Sequence, residues 1–251
     1  QTGLQWTNSV SFDAGNDYGR FRLSYTNVDE EGTAPNSKIK KNIVNFAGDY
    51  NFTKRLKAEA NLTYSNKEGL GRYGTGYDGW NPMQSFGQWF QTNVDFSRLE
   101  EYESPTGLHR TWNYTYWEPD YLYPIYFDNP YWVRYKNYQD DYRDRVLGYV
   151  SADYKFTDWL TLTLRSAIDT YHDVQNERIA IGSVGTSDFT TRQRNLLESN
   201  TDLMLKFNKA FGDVSLTGLV GANYRHRQQQ RITGTTVGGL VVPELYTVSN
   251  S

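Results

Sequence analysis

The chain has no cysteine, two methionines, three histidines and a net charge of only −3 over 251 residues. Without cysteine there are no disulfides, no thiolate metal sites and no thiol nucleophiles. His109, His172 and His226 stand apart with no metal-ligand spacing, so each reads as a loop or strand-end residue and no metal is expected. Near-neutral charge makes no electrostatic case for nucleic acid or an acidic substrate. No apolar run approaches the roughly 18 residues of a membrane helix, and mean hydropathy is −0.75. That value does not exclude a membrane barrel, whose alternating strands average apolar and polar residues together. There is no signal peptide, and Gln1 already leads into a strand. A removed leader, or a piece of something longer, is therefore expected.

What is abundant is aromatic: 21 Tyr, 12 Phe and 7 Trp. The stretch Leu56–Ser65 alternates without a fault. Leu56, Ala58, Ala60, Leu62 and Tyr64 fall on one side, with Lys57, Glu59, Asn61, Thr63 and Ser65 on the other. A period of two makes a strand with one apolar and one polar face. Val44, Phe46, Tyr50 and Phe52 precede it in a second alternating run, with Thr53-Lys54-Arg55 as a tight connection. The hairpin recurs at Asp153–Asp169, in the shared frame D-Y-x-F-T-x-x-L, and more loosely at Leu205–Val220, where Phe207 matches Phe52 and Phe156.

Eight strands are predicted, near 4–13, 19–28, 39–52, 55–66, 142–156, 159–174, 189–207 and 213–227. Short connections (Ala14–Asp17, Thr53-Lys54, Thr157-Asp158, Asn208–Gly212) alternate with long ones (Gly32–Lys38, about 67–141, Asn176–Asp188 and the tail after Gln228). That is the layout of periplasmic turns and extracellular loops in an outer-membrane barrel. A soluble sandwich has Greek-key crossings instead. Tyr50, Phe52, Tyr154, Phe156, Trp159, Phe207 and Phe211 gather where the apolar stripe meets the short turns, as an interfacial girdle does. Periodicity alone does not say whether the apolar face points inward or outward.

The insertion Lys67–Tyr138 holds half of all the aromatic residues. Its length points to function and its rings argue against disorder. Within Pro82–Tyr102, Met83, Phe86, Trp89 and Phe90 recur at helical spacing behind a proline suited to a first turn, so one or two short helices are expected there. Gly69-Leu70-Gly71-Arg72-Tyr73-Gly74 matches G-x-G-x-x-G but lacks a surrounding βαβ unit, and reads as a loop entry. The acidic clusters Glu100-Glu101-Glu103 and Asp140-Asp141-Asp144 read as charged loop faces, with paired-acid glycoside hydrolysis as the weaker alternative. No nucleophile elbow is present, and no cofactor or catalytic residue is expected.

Several patches together resemble the barrel of SusC/RagA-type TonB-dependent outer-membrane transporters of the Bacteroidetes. They are Tyr142–Tyr171 (YRDRVLGYVSADYKFTDWLTLTLRSAIDTY), Asp128–Tyr138 (DNPYWVRYKNY), Asn81–Gln91 (NPMQSFGQWFQ), Phe21–Ser37 and Val242–Ser251. The resemblance implies a fold: residues 1–251 as an antiparallel, up-and-down, all-β segment of a plugged transmembrane barrel of about 22 strands. It has long extracellular loops, and the plug and closing strands lie outside these residues. It also implies a function without covalent chemistry, the energised import of an oligosaccharide or oligopeptide. The implied partners are a SusD-like surface lipoprotein as lid, the TonB complex acting through the plug, and outer-membrane lipid, with no nucleic acid. Trp80, Trp89, Trp112, Tyr116 and Trp117 are the candidate contacts to substrate or lid. The alternatives are a complete eight-stranded outer-membrane barrel, or a soluble β-rich carbohydrate-binding or hydrolase domain.

Overall fold

The computed structural model describes residues 2–72, 74–87, 91–115 and 123–251. Eight strands, β1 (Leu4–Asn16), β2 (Gly19–Glu31), β3 (Lys38–Asn51), β4 (Leu56–Leu70), β5 (Gln139–Thr157), β6 (Leu160–Ile179), β7 (Asp188–Phe211) and β8 (Val214–Thr235), form one antiparallel sheet in sequence order. Each expected strand is present with a short turn after the first, third, fifth and seventh, though Ala14–Asn16 and Asn208–Phe211, expected in turns, belong to β1 and β7. The loop-side ends run further than the alternation showed, most of all in β8. The frame of the third hairpin differs as well. Phe52 and Phe156 flank their turns, whereas Phe207 lies inside β7 with its ring over Gly218, where a Cβ would come within 2.3 Å of it. Phe211 takes the place beside the turn.

The register is continuous from β1 to β8, with one shift between Lys155 and Thr157. Rows of paired residues therefore cross the whole sheet. One apolar row runs Phe12, Leu23, Phe46, Leu62, Gly148, Ile168. Four residues toward the loops on the same face, a polar row runs Asn8, Asn27, Asn42, Asn66, Asp144, His172, Asn195, Gln230. Tyr25 and Tyr64 reach up to it, donating to Asn42 (2.7 Å) and Asp144 (2.7 Å). Gly148 has no substitute in its row, because a Cβ there would lie 2.1 Å from the Asn61 carbonyl.

Among the described residues no second layer covers either face of the sheet. Leu23, Phe46, Val150, Leu164, Leu203 and Val220 are all exposed, and neighbouring rings pair along the turn end, Phe12 with Phe21 and Tyr50 with Phe52. The opposite face carries cross-strand ion pairs: Arg20–Asp49–Lys57, Lys67–Asp141, Arg143–Asp173, Arg145–Asp169 and Arg225–Glu198–Arg227. What core there is lies at the loop end, in Leu99, Phe127, Trp132, Val133, Ala180, Phe189, Leu196 and Leu240. The apolar face is thus not the inside of a sandwich formed by this chain.

The outer edges of β1 and β8 have no strand partner among the described residues. Unpaired edges beside an exposed apolar face template association in water and are not tolerated in lipid. These 251 residues, produced alone and refolded in detergent, are expected to aggregate and to give no heat-modifiable band on a gel. A monodisperse monomer with a sharp unfolding transition would show that the two edges meet.

Candidate functional site

The long loops meet at one end of the sheet and are fastened by a single short element. Two helices of the β4–β5 loop are α1 (Pro82–Gly87) and α2 (Pro130–Tyr135), with a 3-10 turn at Phe96–Glu100. The helical signal in Pro82–Tyr102 thus becomes α1 and the 3-10 turn, while residues 88–90 lie outside the described residues. Helix α2 is a local consequence of Asp128-Asn129-Pro130. The Asn129 side chain caps the helix by accepting from the Tyr131 N–H (2.8 Å), and Pro130 supplies a first helical residue that needs no N–H partner.

Residues of this stretch tie the β4–β5 loop together and reach into three neighbouring segments. Asn129 is fully buried, and its amide donates to the carbonyls of Leu99 (2.9 Å) and Arg110 (2.8 Å). Buried Trp132 donates to Ser183 Oγ (2.9 Å) in the β6–β7 loop. Arg134 donates to the carbonyls of Pro35 (2.9 Å) and Asn36 (3.1 Å) in the β2–β3 loop, and Asn36 returns a bond to the Arg134 carbonyl. Lys136 bonds Glu103 and, in the segment after β8, Glu244 (2.6 Å). Burial alone would lower the Lys136 pKa, but these two carboxylates outweigh it and hold the ammonium at about 12. Asn137 accepts from the Ala180 N–H and from Ser183. Of the glycine motif, Gly71 has a structural use. It is left-handed (φ 72°), and a Cβ would lie 1.9 Å from the Asn36 carbonyl.

His109 is the residue that sequence reasoning missed. It lies in a loop, as expected, but is buried against Trp132, the two rings stacked 4.3 Å apart. Its Nε2 accepts from the Asn129 N–H (3.1 Å), which places the proton on Nδ1, where it is donated to the Gly182 carbonyl (3.1 Å). Burial holds the imidazole pKa down at about 4. Asp128 lies 3.5 Å away, accepting from the Val184 N–H and Asn137. Its carboxyl is pushed up to about 6, again by burial, so both groups lean toward the neutral form rather than toward an ion pair. His172 and His226 sit within β6 and β8, not at strand ends.

The acidic clusters are taken up by neighbours. Asp140 pairs with Arg178, Asp141 with Lys67, Glu101 with Arg110 and Glu103 with Lys136. Of the candidate contacts, Trp80 is half-buried in the turn at 74–81, where its N–H donates to Asp78 (2.9 Å). Trp112 is half-buried beside the Tyr114–Pro124 bridge. Trp89, Tyr116 and Trp117 lie outside the described residues. The more exposed rings of this loop are ones the sequence did not single out, Tyr77 (78 %) and Tyr126 (72 %).

Linkage gives the cap a pH signature. Between pH 6.5 and about 4 an unfolded His109 binds a proton that the folded one refuses, so its contribution is lost as pH falls. Asp128 acts oppositely. Between about 6 and 3.8 the folded carboxyl keeps a proton the unfolded one has lost, so acidification favours the fold. The two slopes oppose each other over nearly the same window. Loop protection should be almost flat with pH in the native protein, weaken on acidification in Asp128→Asn, and strengthen in His109→Gln. Hydrogen-exchange protection of the Val184 amide, corrected for intrinsic rates, checks this. Parallel pH profiles in all three proteins would contradict it.

No family model matches the sequence, and no curated protein matches it. Solved structures do resemble it. A chain of the RagAB peptide importer in its closed-closed state superposes with TM-score 0.71 at 15% identity, over 98% of this chain and 26% of that one. The RagAB peptide transporter gives 0.70 at 15% (98% and 27%), and the importer in its open-open state 0.67 at 16% (98% and 26%). The chain spans about a quarter of the length of these neighbours, and at this identity the likeness is one of fold: an eight-stranded, antiparallel, up-and-down segment of their kind.

Proposed function

We propose that this chain is a sector of a larger closed β-barrel in the bacterial outer membrane and serves the import of a large nutrient. The observation that carries this reading is the slope of the apolar stripe. On β1 the stripe centres near Val10. The row starting at Val10 passes through Tyr25, Val44, Tyr64, Val146, Thr170 and Leu197 and ends on Gln228. On β8 the apolar run on this face is Val214, Leu216, Val220, Ala222 and Tyr224, with Ile232 apart beyond a polar stretch, so the centre has moved from Gln228 to near Val220. Eight residues at about 3.4 Å, set against seven strand spacings of about 4.8 Å, make a slope of roughly 40°. Strands of membrane barrels tilt by roughly 35–45°. An apolar band that slides along the strands at that rate is level once the strands tilt, as a lipid-facing belt must be. A sandwich core, with strands aligned within about 30°, has no reason for it.

The polar face would then line the lumen, where its ion-pair ladder faces water and a plug contributed from outside these residues. The alternative of eight strands closing on themselves leaves room only for side chains, which fits poorly with Arg20, Lys57, Arg143, Arg145, Arg225 and their partners on one face. The loop cap sits where a SusD-like lipoprotein lid and the arriving substrate would meet it, with TonB acting through the plug. The peptide importers that share the fold favour an oligopeptide over an oligosaccharide. Trp80, Trp89, Trp112, Tyr116 and Trp117 remain the proposed contacts to substrate or lid.

Two measurements test the reading. Leu62→Arg or Leu164→Arg, on the apolar face, should each cost about 2–4 kcal/mol of barrel stability in lipid, and Asn61→Arg, on the polar face, much less. Equal damage on both faces would remove the membrane assignment. In cells carrying the full-length protein, Trp80→Ala with Trp112→Ala should lower uptake of a labelled oligopeptide several-fold at unchanged barrel content, because loop rings are held by a scaffold whose stability lies elsewhere. Loss of the barrel itself would make both rings structural.

A further inference from the structure

The polar row deepens into a groove of about 430 Å³ between β5 and β8, on the apolar face and toward the loops. Asp144, His172, Asn195, Gln228 and Gln230 line it, with Val146 on its turn-ward side. Its hydrogen-bonding capacity is partly spent. Asp144 accepts from Tyr64 (2.7 Å), from Tyr142 and from Asn66 (3.0 Å), and His172 Nδ1 meets Asn195 Oδ1 at 2.6 Å. What is left is the Asn195 amide nitrogen, His172 Nε2 and the whole amides of Gln228 and Gln230. The two glutamines are exposed and have no side-chain partner among the described residues. Two residues apart on one strand face, they stand about 7 Å from each other.

Apart from the His172 ring these free groups are uncharged amides, and no lysine or arginine head group joins them. Arg145 and Arg227 flank the groove in sequence, but their guanidinium groups cross to the other face, to Asp169 and Glu198. A phosphate would find no lysine or arginine partner here and would approach the Asp144 carboxylate. Sugar hydroxyls, each both donor and acceptor, match amide side chains. The groove also begins where the apolar stripe stops, at Val146 on β5 and Thr170 on β6, so a molecule filling it would extend onto Val150 and Leu164 below. We infer that the groove binds the uncharged sugar headgroup of an outer-leaflet glycolipid whose acyl chains lie along the apolar face. This rests on the lipid-facing assignment proposed above.

The test uses the full-length protein purified from membranes and offered mixed micelles of a dihexosyl diacylglycerol and phosphatidylethanolamine, with bound lipids counted by native mass spectrometry. The native protein should prefer the glycolipid. Gln228→Leu with Gln230→Leu should reduce that preference about tenfold, as expected for two lost hydrogen-bonding groups. Gln229→Leu, on the opposite face, should leave it intact. Equal preference in the native protein and the double variant, or no preference in the native protein while phosphatidylethanolamine is still retained, overturns the groove assignment alone. A protein that retains neither lipid overturns the membrane reading with it.

Discussion

An antiparallel register carried from β1 to β8 with a single shift is the constraint on which the rest of the structure depends. A slip of one residue would move every side chain of a strand to the other face. Leu62 would leave Phe46 and join the ion pairs, and Asp49 would lose Arg20. Turn chemistry at one end and side-chain pairing along the strands hold the register together. Asn16 accepts from the backbone N–H groups of Tyr18 and Gly19, and Thr53 from those of Arg55 and Leu56. The one shift lies next to the β5–β6 turn, where it disturbs the fewest pairs.

Much of this was legible because it is local. Alternation between apolar and polar residues located all eight strands, and Gly, Asn, Asp and Thr marked the turns between them. The loop-side extensions were not legible because their pattern changes. Gln229 to Arg231 is polar on both faces and reads as a tail, yet it continues β8 against Arg194–Leu196. Helix α2 carried a readable signal that alternation hid: an asparagine cap followed directly by proline. His109 carried none. Its partners Gly182, Asn129 and Trp132 are distant in sequence, and nothing in the residues around it marks it as buried. The exposed Tyr77 and Tyr126 were equally invisible, since a ring-rich loop gives no hint of which rings its own packing consumes.

The sheet and the cap solve opposite electrostatic problems. On the polar face of the sheet, charges are plentiful and paired across strands, and most are partly solvated, buried Asp173 beside Arg143 being an exception. In the cap the stack of His109 on Trp132 is dry, and its groups are held neutral and fully bonded. A charge introduced there would have no solvent to meet, which is why burial moves both the imidazole and the Asp128 carboxyl toward their uncharged forms. The sheet tolerates charge by arrangement, as the Lys136 pairs at the rim of the cap do, whereas the His109–Trp132 stack excludes it.

The grip of Asp128–Asn137 on its neighbours also orders events in time. Arg134 joins residues 98 positions behind it, Asn137 joins Ser183 across 46, and Lys136 joins Glu244 across 108. Hairpins can zip one after another as the chain emerges, each using contacts close in sequence. The last staple, between Lys136 and Glu244, has to wait until β8 has been made and laid down. Until then the cap is open on one side, with Lys136 paired to Glu103 alone. A chain stalled before β8 would therefore present an unfinished lid to its surroundings, a state that a quality-control protease or chaperone could distinguish from the completed one.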